Sequence, residues 1–218
     1  MLQHCGHIYL VDDDPDVRFY LGDLLRQLGY SVATYEDANR FFQQSMDFSP
    51  AVVLMDMRMP GLTGVQALHR LSDVGRRTPV VFISGESQPQ EIIDAMKGGA
   101  VDFLVKPFNR EQLVAAVDKA MAMDIQSREN FVRQTRIKRL FRTLTDRERD
   151  VFFLVIKGHT NLAIGDLTGV QAGTVKKHRA AIFAKFHVSN TAELIDICHG
   201  LNLQDLTLED PIGGSTPD

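Results

Sequence analysis

At 218 residues, 44% hydrophobic and 24% charged, the chain is long enough for one large or two modest soluble domains, each with a real core. The longest unbroken apolar run, residues 151–156, is far too short to span a bilayer, and residues 1–11 lack the basic start of a secretory signal; a cytoplasmic protein without a membrane partner is expected. The net charge of −4 is divided unevenly: residues 1–124 carry −6, residues 125–199 carry +6 and the last nineteen −4, so the second half is the part suited to a polyanion.

Five short strands are predicted at residues 8–11, 31–35, 51–55, 80–83 and 102–105, each rich in aliphatic or aromatic residues. Between them apolar residues recur at helical spacing: Val17, Leu21, Leu24, Leu25 and Leu28, then Phe41 and Phe42, then Val65, Leu68 and Leu71, then Ile92, Ile93 and Met96. Strand alternating with helix predicts an α/β doubly wound, five-stranded parallel sheet, its near-continuous apolar strands covered on both faces.

Beyond Pro107 the pattern is helical. Asn109 with Gln112 is a capping pair, and neither Gly nor Pro interrupts residues 109–143, which predicts a long connecting helix, or two nearly joined, basic from Arg128 to Arg142. Thr145 with Glu148 opens a helix that stops at Gly158; Thr160 caps a short one ending at Gly169. A third spans residues 172–186, and Asn190 with Glu193 opens a fourth over residues 191–199. Short helices on a basic background predict an all-α helix-turn-helix domain. The expected division is 1–122, 123–143 as basic helical linker, 144–200, and a disordered tail at 201–218.

Cys5 and Cys198 lie too far apart in sequence to form a disulfide framework, and His4, Cys5 and His7 are read as terminal surface rather than metal ligands. The chemistry lies elsewhere. Asp12 and Asp13, Asp56, Ser84 and Lys106 each end a strand, and in an open parallel sheet the carboxyl ends of the strands converge on one crevice. A carboxylate attacks a phosphoryl group poorly unless positive charge offsets the repulsion of two anions. Magnesium held by acidic oxygens, together with a lysine, supplies that charge, and a serine hydroxyl can bind the phosphoryl oxygens.

The segments "IYLVDDDP", "VVLMDMRMPGLTG", "FISGES" and "GGAVDFLVKPF" together resemble the receiver domain of bacterial two-component response regulators, a flavodoxin-like fold, across about residues 5–122. The resemblance implies that Asp56 accepts phosphate from a sensor histidine kinase and that Asp12, Asp13, Asp56 and the Arg58 carbonyl hold Mg2+ or Mn2+. It further implies that Lys106 and Ser84 read the acyl phosphate, that Phe103 is the aromatic switch and that the Lys106–Pro107 bond is cis. Ser84 and Phe103 replace the commoner threonine and tyrosine.

The second half resembles the LuxR-type DNA-binding domain of FixJ- and NarL-type regulators through "LTDRERDVFFLV", "GHTN", "TVKKHRAAIFAKF" and "TAEL". On a helical wheel Val175, Ile182 and Phe186 face a core while Lys177, Ala180, Ala181 and Ala184 face outward, with Lys176 on the flank. Expected DNA contacts are Thr174, Lys176, Lys177, Ala180 and Lys185; so few base-reading groups imply that DNA shape and half-site spacing supply much of the specificity. Gly165 stands where the family usually has alanine, and Gln171 where a serine usually caps the recognition helix. Together the two resemblances imply a regulator, not an enzyme. Phosphorylation would drive it to homodimerize on double-stranded DNA, with RNA polymerase a further candidate partner. Two rival readings are a haloacid-dehalogenase-like phosphatase, with Asp12 and Asp14 as its paired aspartates, and a module whose basic helices bind protein instead of DNA.

Overall fold

The computed structural model describes residues 6–45, 48–73, 77–85, 88–202 and 206. The chain forms two compact units, Met1–Glu129 and Asn130–Asp218.

The first unit alternates β1 (His7–Val11), α1 (Pro15–Gln27), β2 (Ser31–Tyr35), α2 (Ala38–Phe42), β3 (Ala51–Asp56), α3 (Gly64–Asp73), β4 (Val80–Ser84), α4 (Pro89–Lys97) and β5 (Asp102–Val105) before entering α5 (Arg110–Arg142). The strands lie in the order β2-β1-β3-β4-β5, and every pairing is parallel. β1, β3 and β4 are buried at every residue, which is why they read as continuous apolar runs; the edge strands β2 and β5 are only partly covered. Alternation along each strand divides the core in two. Ile8, Leu10, Val52, Leu54 and Val81 pack with Leu21 and Leu25 of α1 and Leu113 and Val117 of α5. Tyr9, Val53, Met55 and Phe82 pack with Phe41 of α2 and Leu68 and Leu71 of α3 on the other face.

The second unit contains the end of α5, then α6 (Asp146–Ile156), α7 (Asn161–Thr168), α8 (Ala172–Phe186) and α9 (Thr191–Cys198). The expected caps form: Gln112 N–H donates to Asn109 Oδ1 at 2.8 Å, Thr145 and Glu148 cap α6 reciprocally, Thr160 caps α7 and Asn190 caps α9. Gly169 closes α7 in the left-handed conformation at φ 68°. Gln171 makes no side-chain cap. A Cβ on Gly165 would stand 2.7 Å from the Val170 carbonyl oxygen, so the turn out of α7 is folded tightly over this glycine.

The core of this unit gathers Phe152, Val155, Ile164, Val175, Ile182, Phe186 and Leu194. Ile137 and Phe141 belong to it as well, so the second half of the stretch expected as a linker, 123–143, is a structural part of this domain. Leu206, from the stretch expected to be a disordered tail, is 6% exposed against the same core; residues 203–205 and 207–218 lie outside the described residues, as do His4 and Cys5. Cys198 is a free, buried thiol that burial pushes up to about 11, which leaves it unreactive at neutral pH. Among the described residues no helix is long and apolar enough to cross a membrane.

Candidate functional site

Strand register brings the acidic and basic residues together. Val11 pairs with Met55, so Asp12 and Asp56 follow side by side at the ends of β1 and β3. Asp56 pairs with Ile83, which sets Ser84 one step on, and Ser84 pairs with Val105, which sets Lys106 one step further. The crevice lies where the crossover leaving β1 runs to β2 on one side and the crossover leaving β3 runs to β4 on the other, the topological switch point of an open α/β sheet.

Lys106 Nζ bridges the two carboxylates, 3.0 Å from Asp12 Oδ2 and 3.1 Å from Asp56 Oδ1. The Arg58 N–H donates to Asp56 Oδ2 at 2.7 Å, and the Asp14 N–H donates to Asp12 Oδ1 at 2.9 Å. Asp12 and Asp56 are buried, at 1% and 8% exposure, and such anions persist only when paired and hydrogen-bonded as these are. Burial pushes the Asp56 carboxyl above the usual range, with the Arg58 N–H and the Lys106 ammonium pulling against it and Asp12 adding to it. For Lys106, burial works against the charged form, but Asp12 and Asp56 outweigh it and hold the ammonium charged.

Ser84 is buried at 2% exposure and its carbonyl accepts the Lys106 N–H at 2.7 Å. The Lys106–Pro107 bond is cis. Phe103 is half-buried, its ring 6.5 Å from that of Phe82. Asp13 is exposed, and among the described residues no three His, Cys, Asp or Glu side chains stand as a preassembled metal cluster. Gly64 is needed for close approach: a Cβ there would meet Phe82 Cε1 at 2.6 Å and the Asp56 carbonyl oxygen at 2.9 Å.

Two residues of this site escaped the sequence reading. Arg18 of α1 donates to the Asp12 carbonyl at 2.6 Å and anchors the acidic loop. Glu91, in the first turn of α4, receives the Arg58 guanidinium at 3.2 Å. Gln88 and Glu91 have the spacing of a capping pair, which would have marked Glu91 as a cap; its partner 33 residues away leaves no local trace.

In the second unit, α8 buries Val175, Ile182 and Phe186 as the wheel predicts, and exposes Thr174, Lys176, Lys177, Ala180 and Ala184; Ala181 is half-buried. Lys185 departs from the expected set of DNA contacts. Its ammonium is turned back to Glu148 Oε2 at 2.6 Å and to the Thr143 carbonyl at 2.9 Å, because Glu148, 7% exposed, needs a cation. Arg179 braces the same helix, donating to the His159 carbonyl at 3.2 Å and to Thr191 Oγ1.

Residues 8–118 match the family described as response regulator receiver domain, and residues 142–198 that described as bacterial regulatory proteins, luxR family. The response regulator protein TodT of Pseudomonas putida is 32% identical over 201 residues, spanning 92% of this chain and 88% of TodT. The transcriptional regulatory protein FixJ of Rhizobium meliloti is 30% identical over 188 residues, 86% of this chain and 92% of FixJ. The solved structure of the response regulator StyR aligns with a TM-score of 0.74 at 33% identity, over 89% of this chain and 98% of StyR. With a family match on each unit and relatives collinear along most of its length, this chain belongs to the two-component response regulators, as a transcriptional regulator, not an enzyme, that joins a receiver domain to a LuxR-type DNA-binding domain.

Proposed function

We propose that Asp56 accepts a phosphoryl group from a sensor histidine kinase, and that its phosphorylation drives homodimerization and operator binding by the helix-turn-helix. The observation that carries this reading is the Asp56 carboxylate at the β3 terminus, held between the Lys106 ammonium and the Arg58 N–H with Asp12 alongside. In this reading Asp56 is the nucleophile: one carboxylate oxygen bonds to phosphorus as the bond to the donor breaks. Lys106 then faces phosphoryl oxygens as well as Asp12, and the Ser84 hydroxyl donates to them.

The donor set suits a hard divalent cation. Asp12, Asp13, Asp56 and the Arg58 carbonyl are all oxygen ligands, and two of the carboxylates are already buried side by side. Bound Mg2+ or Mn2+ would neutralise charge on the transferring phosphoryl group. Asp13, exposed and next to Asp12 in sequence, would supply a further oxygen ligand to a bound ion.

The added charge draws Ser84 toward the phosphoryl oxygens, and the half-buried Phe103 repacks into the space behind it, which alters the surface of α4, β5 and α5. On DNA, Thr174, Lys176, Lys177 and Ala180 of α8 are the contact residues, in the major groove. Exposed Phe19 and Tyr20 on α1, following the acidic loop in sequence, provide the apolar surface against which the kinase docks. The protein acts in the cytoplasm, with RNA polymerase as a further partner of the DNA-bound dimer.

The test is DNA retardation by native protein and Asp56→Asn, each with and without a small phosphodonor and magnesium, with mass spectrometry of the adduct. Label on Asp56 together with donor-dependent retardation, both absent from Asp56→Asn, is expected. Label on Asp12 would favour a phosphatase, and DNA affinity insensitive to salt would favour a protein-binding module.

A further inference from the structure

Arg58 has two attachments that pull in different directions. Its main-chain N–H is bound to Asp56, at 2.7 Å, while its side chain leaves the crevice and pairs with Glu91 of α4 at 3.2 Å. Arg58 is therefore rooted two residues from the phosphate acceptor, and the reach of an arginine side chain covers the oxygens of a group attached there. Glu91 has two roles as well. It accepts the Gln88 N–H at 2.8 Å, closing the capping box of α4, and the same Oε2 accepts the guanidinium.

We infer that the Arg58 guanidinium is a phosphoryl-binding group of this receiver and that Glu91 is the positioning residue that parks it away from the acyl phosphate. The inference rests on Asp56 being the phosphate acceptor. In the resting protein the carboxylate of Glu91 holds the guanidinium, with the ion pair about half exposed at Arg58 and 38% exposed at Glu91. Once Asp56 carries a phosphoryl group, two anions compete for one cation. A pair this exposed is weak, so the competition is close to balanced and the lifetime of the acyl phosphate is set by it.

The affected step is hydrolysis. A water oxygen bonds to phosphorus while the bond from phosphorus to the Asp56 oxygen breaks; the carboxylate keeps the electron pair, and the proton released from water passes to solvent. Negative charge spreads over the three equatorial oxygens in the transition state, where a guanidinium stabilises it. Freeing Arg58 from Glu91 therefore shortens the lifetime.

Glu91→Gln separates the two roles of Glu91, because glutamine retains an oxygen to accept the Gln88 N–H and loses only the charge that holds Arg58. The full-length chain is phosphorylated with acetyl phosphate and magnesium and stripped of donor, and decay of the adduct is followed by intact mass. Wild type, Glu91→Gln, Arg58→Ala and the double variant are compared. Glu91→Gln is expected to decay about two- to five-fold faster than wild type, the range set by an exposed ion pair. The double variant is expected to match Arg58→Ala alone. Unchanged decay in Glu91→Gln, or an acceleration that persists without Arg58, would overturn the inference while leaving Asp56 as the acceptor. Absence of any adduct on Asp56 in the wild type would overturn both.

Discussion

Half-buried Lys185 and buried Glu148 form an ion pair, 2.6 Å from Nζ to Oε2, that ties the C-terminal half of the recognition helix to the N-cap of α6. Lys185 also donates to the Thr143 carbonyl just beyond the end of α5, so one ammonium joins three elements of the DNA-binding domain. Replacing it by methionine leaves the Glu148 carboxylate buried with only Thr145 as donor. A loss of about 1–3 kcal/mol is expected, measured by urea unfolding of the second domain. The dependence of log K on log salt for a labelled duplex of arbitrary sequence is expected to stay the same, because the Lys185 ammonium is committed to Glu148 and the Thr143 carbonyl. Lys176→Ala or Lys177→Ala is expected to reduce that slope by roughly one each. A lower slope for Lys185→Met would restore this residue to the DNA contacts.

Gly165→Ala separates local propensity from tertiary packing. Helix propensity alone favours alanine by about 1 kcal/mol. The new Cβ would stand 2.7 Å from the Val170 oxygen, a backbone atom that cannot rotate away. The variant is expected to be destabilised by about 1–2 kcal/mol, as other forced insertions into tight packing are. A rise in the thermal midpoint of the second domain would show that the turn opens without strain.

Phe152 is fully buried, with the rings of Phe141, Phe153 and Phe186 at 5.3, 5.7 and 5.2 Å. Phe152→Ala opens a cavity beneath α8 and is expected to cost about 3–5 kcal/mol, enough to unfold this domain and abolish duplex binding. The first domain, with separate cores, should still accept phosphate from acetyl phosphate by intact mass.

Acidification acts on the two domains in different windows. For Glu148, burial works to raise the carboxyl, but the Lys185 ammonium and the Thr145 donors outweigh it and hold it below its ordinary 4.5. This stabilisation is present above the unfolded value and is lost as pH falls below 4.5 through the folded one. For His7, burial holds the imidazole below its ordinary 6.5. The unfolded chain therefore takes up a proton first, and the first domain loses stability as pH falls from 6.5 toward the lower folded value. Urea midpoints of each domain across pH should show the first decline in the receiver, removed in His7→Phe, and the second in the DNA-binding domain, removed in Glu148→Gln.

The strands were legible because central parallel strands covered on both faces are apolar throughout, and even the partly covered edge strands keep enough aliphatic and aromatic residues that 31–35 and 102–105 match the observed β2 and β5 residue for residue. The ends of β3 and β4 ran one residue further than expected, onto Asp56 and Ser84, whose backbones remain in the ladder although their side chains are polar. The helix caps were legible for a similar reason, since Asn109, Thr145, Thr160 and Asn190 bond to backbone only three residues away.

Local spacing and strand-end position thus determined from sequence alone the two-domain plan, the acidic crevice and the buried stripe of the recognition helix. Only tertiary structure decided the fate of side chains whose partners lie far along the chain: Lys185 turned inward to Glu148, Arg58 drawn to Glu91, Gly165 required by the Val170 carbonyl, and Ile137 and Phe141 taken into the second core. A long charged side chain can satisfy its charge at any anion within reach. Which anion that is depends on how elements dozens of residues apart pack together, and that information resides in no local window of sequence.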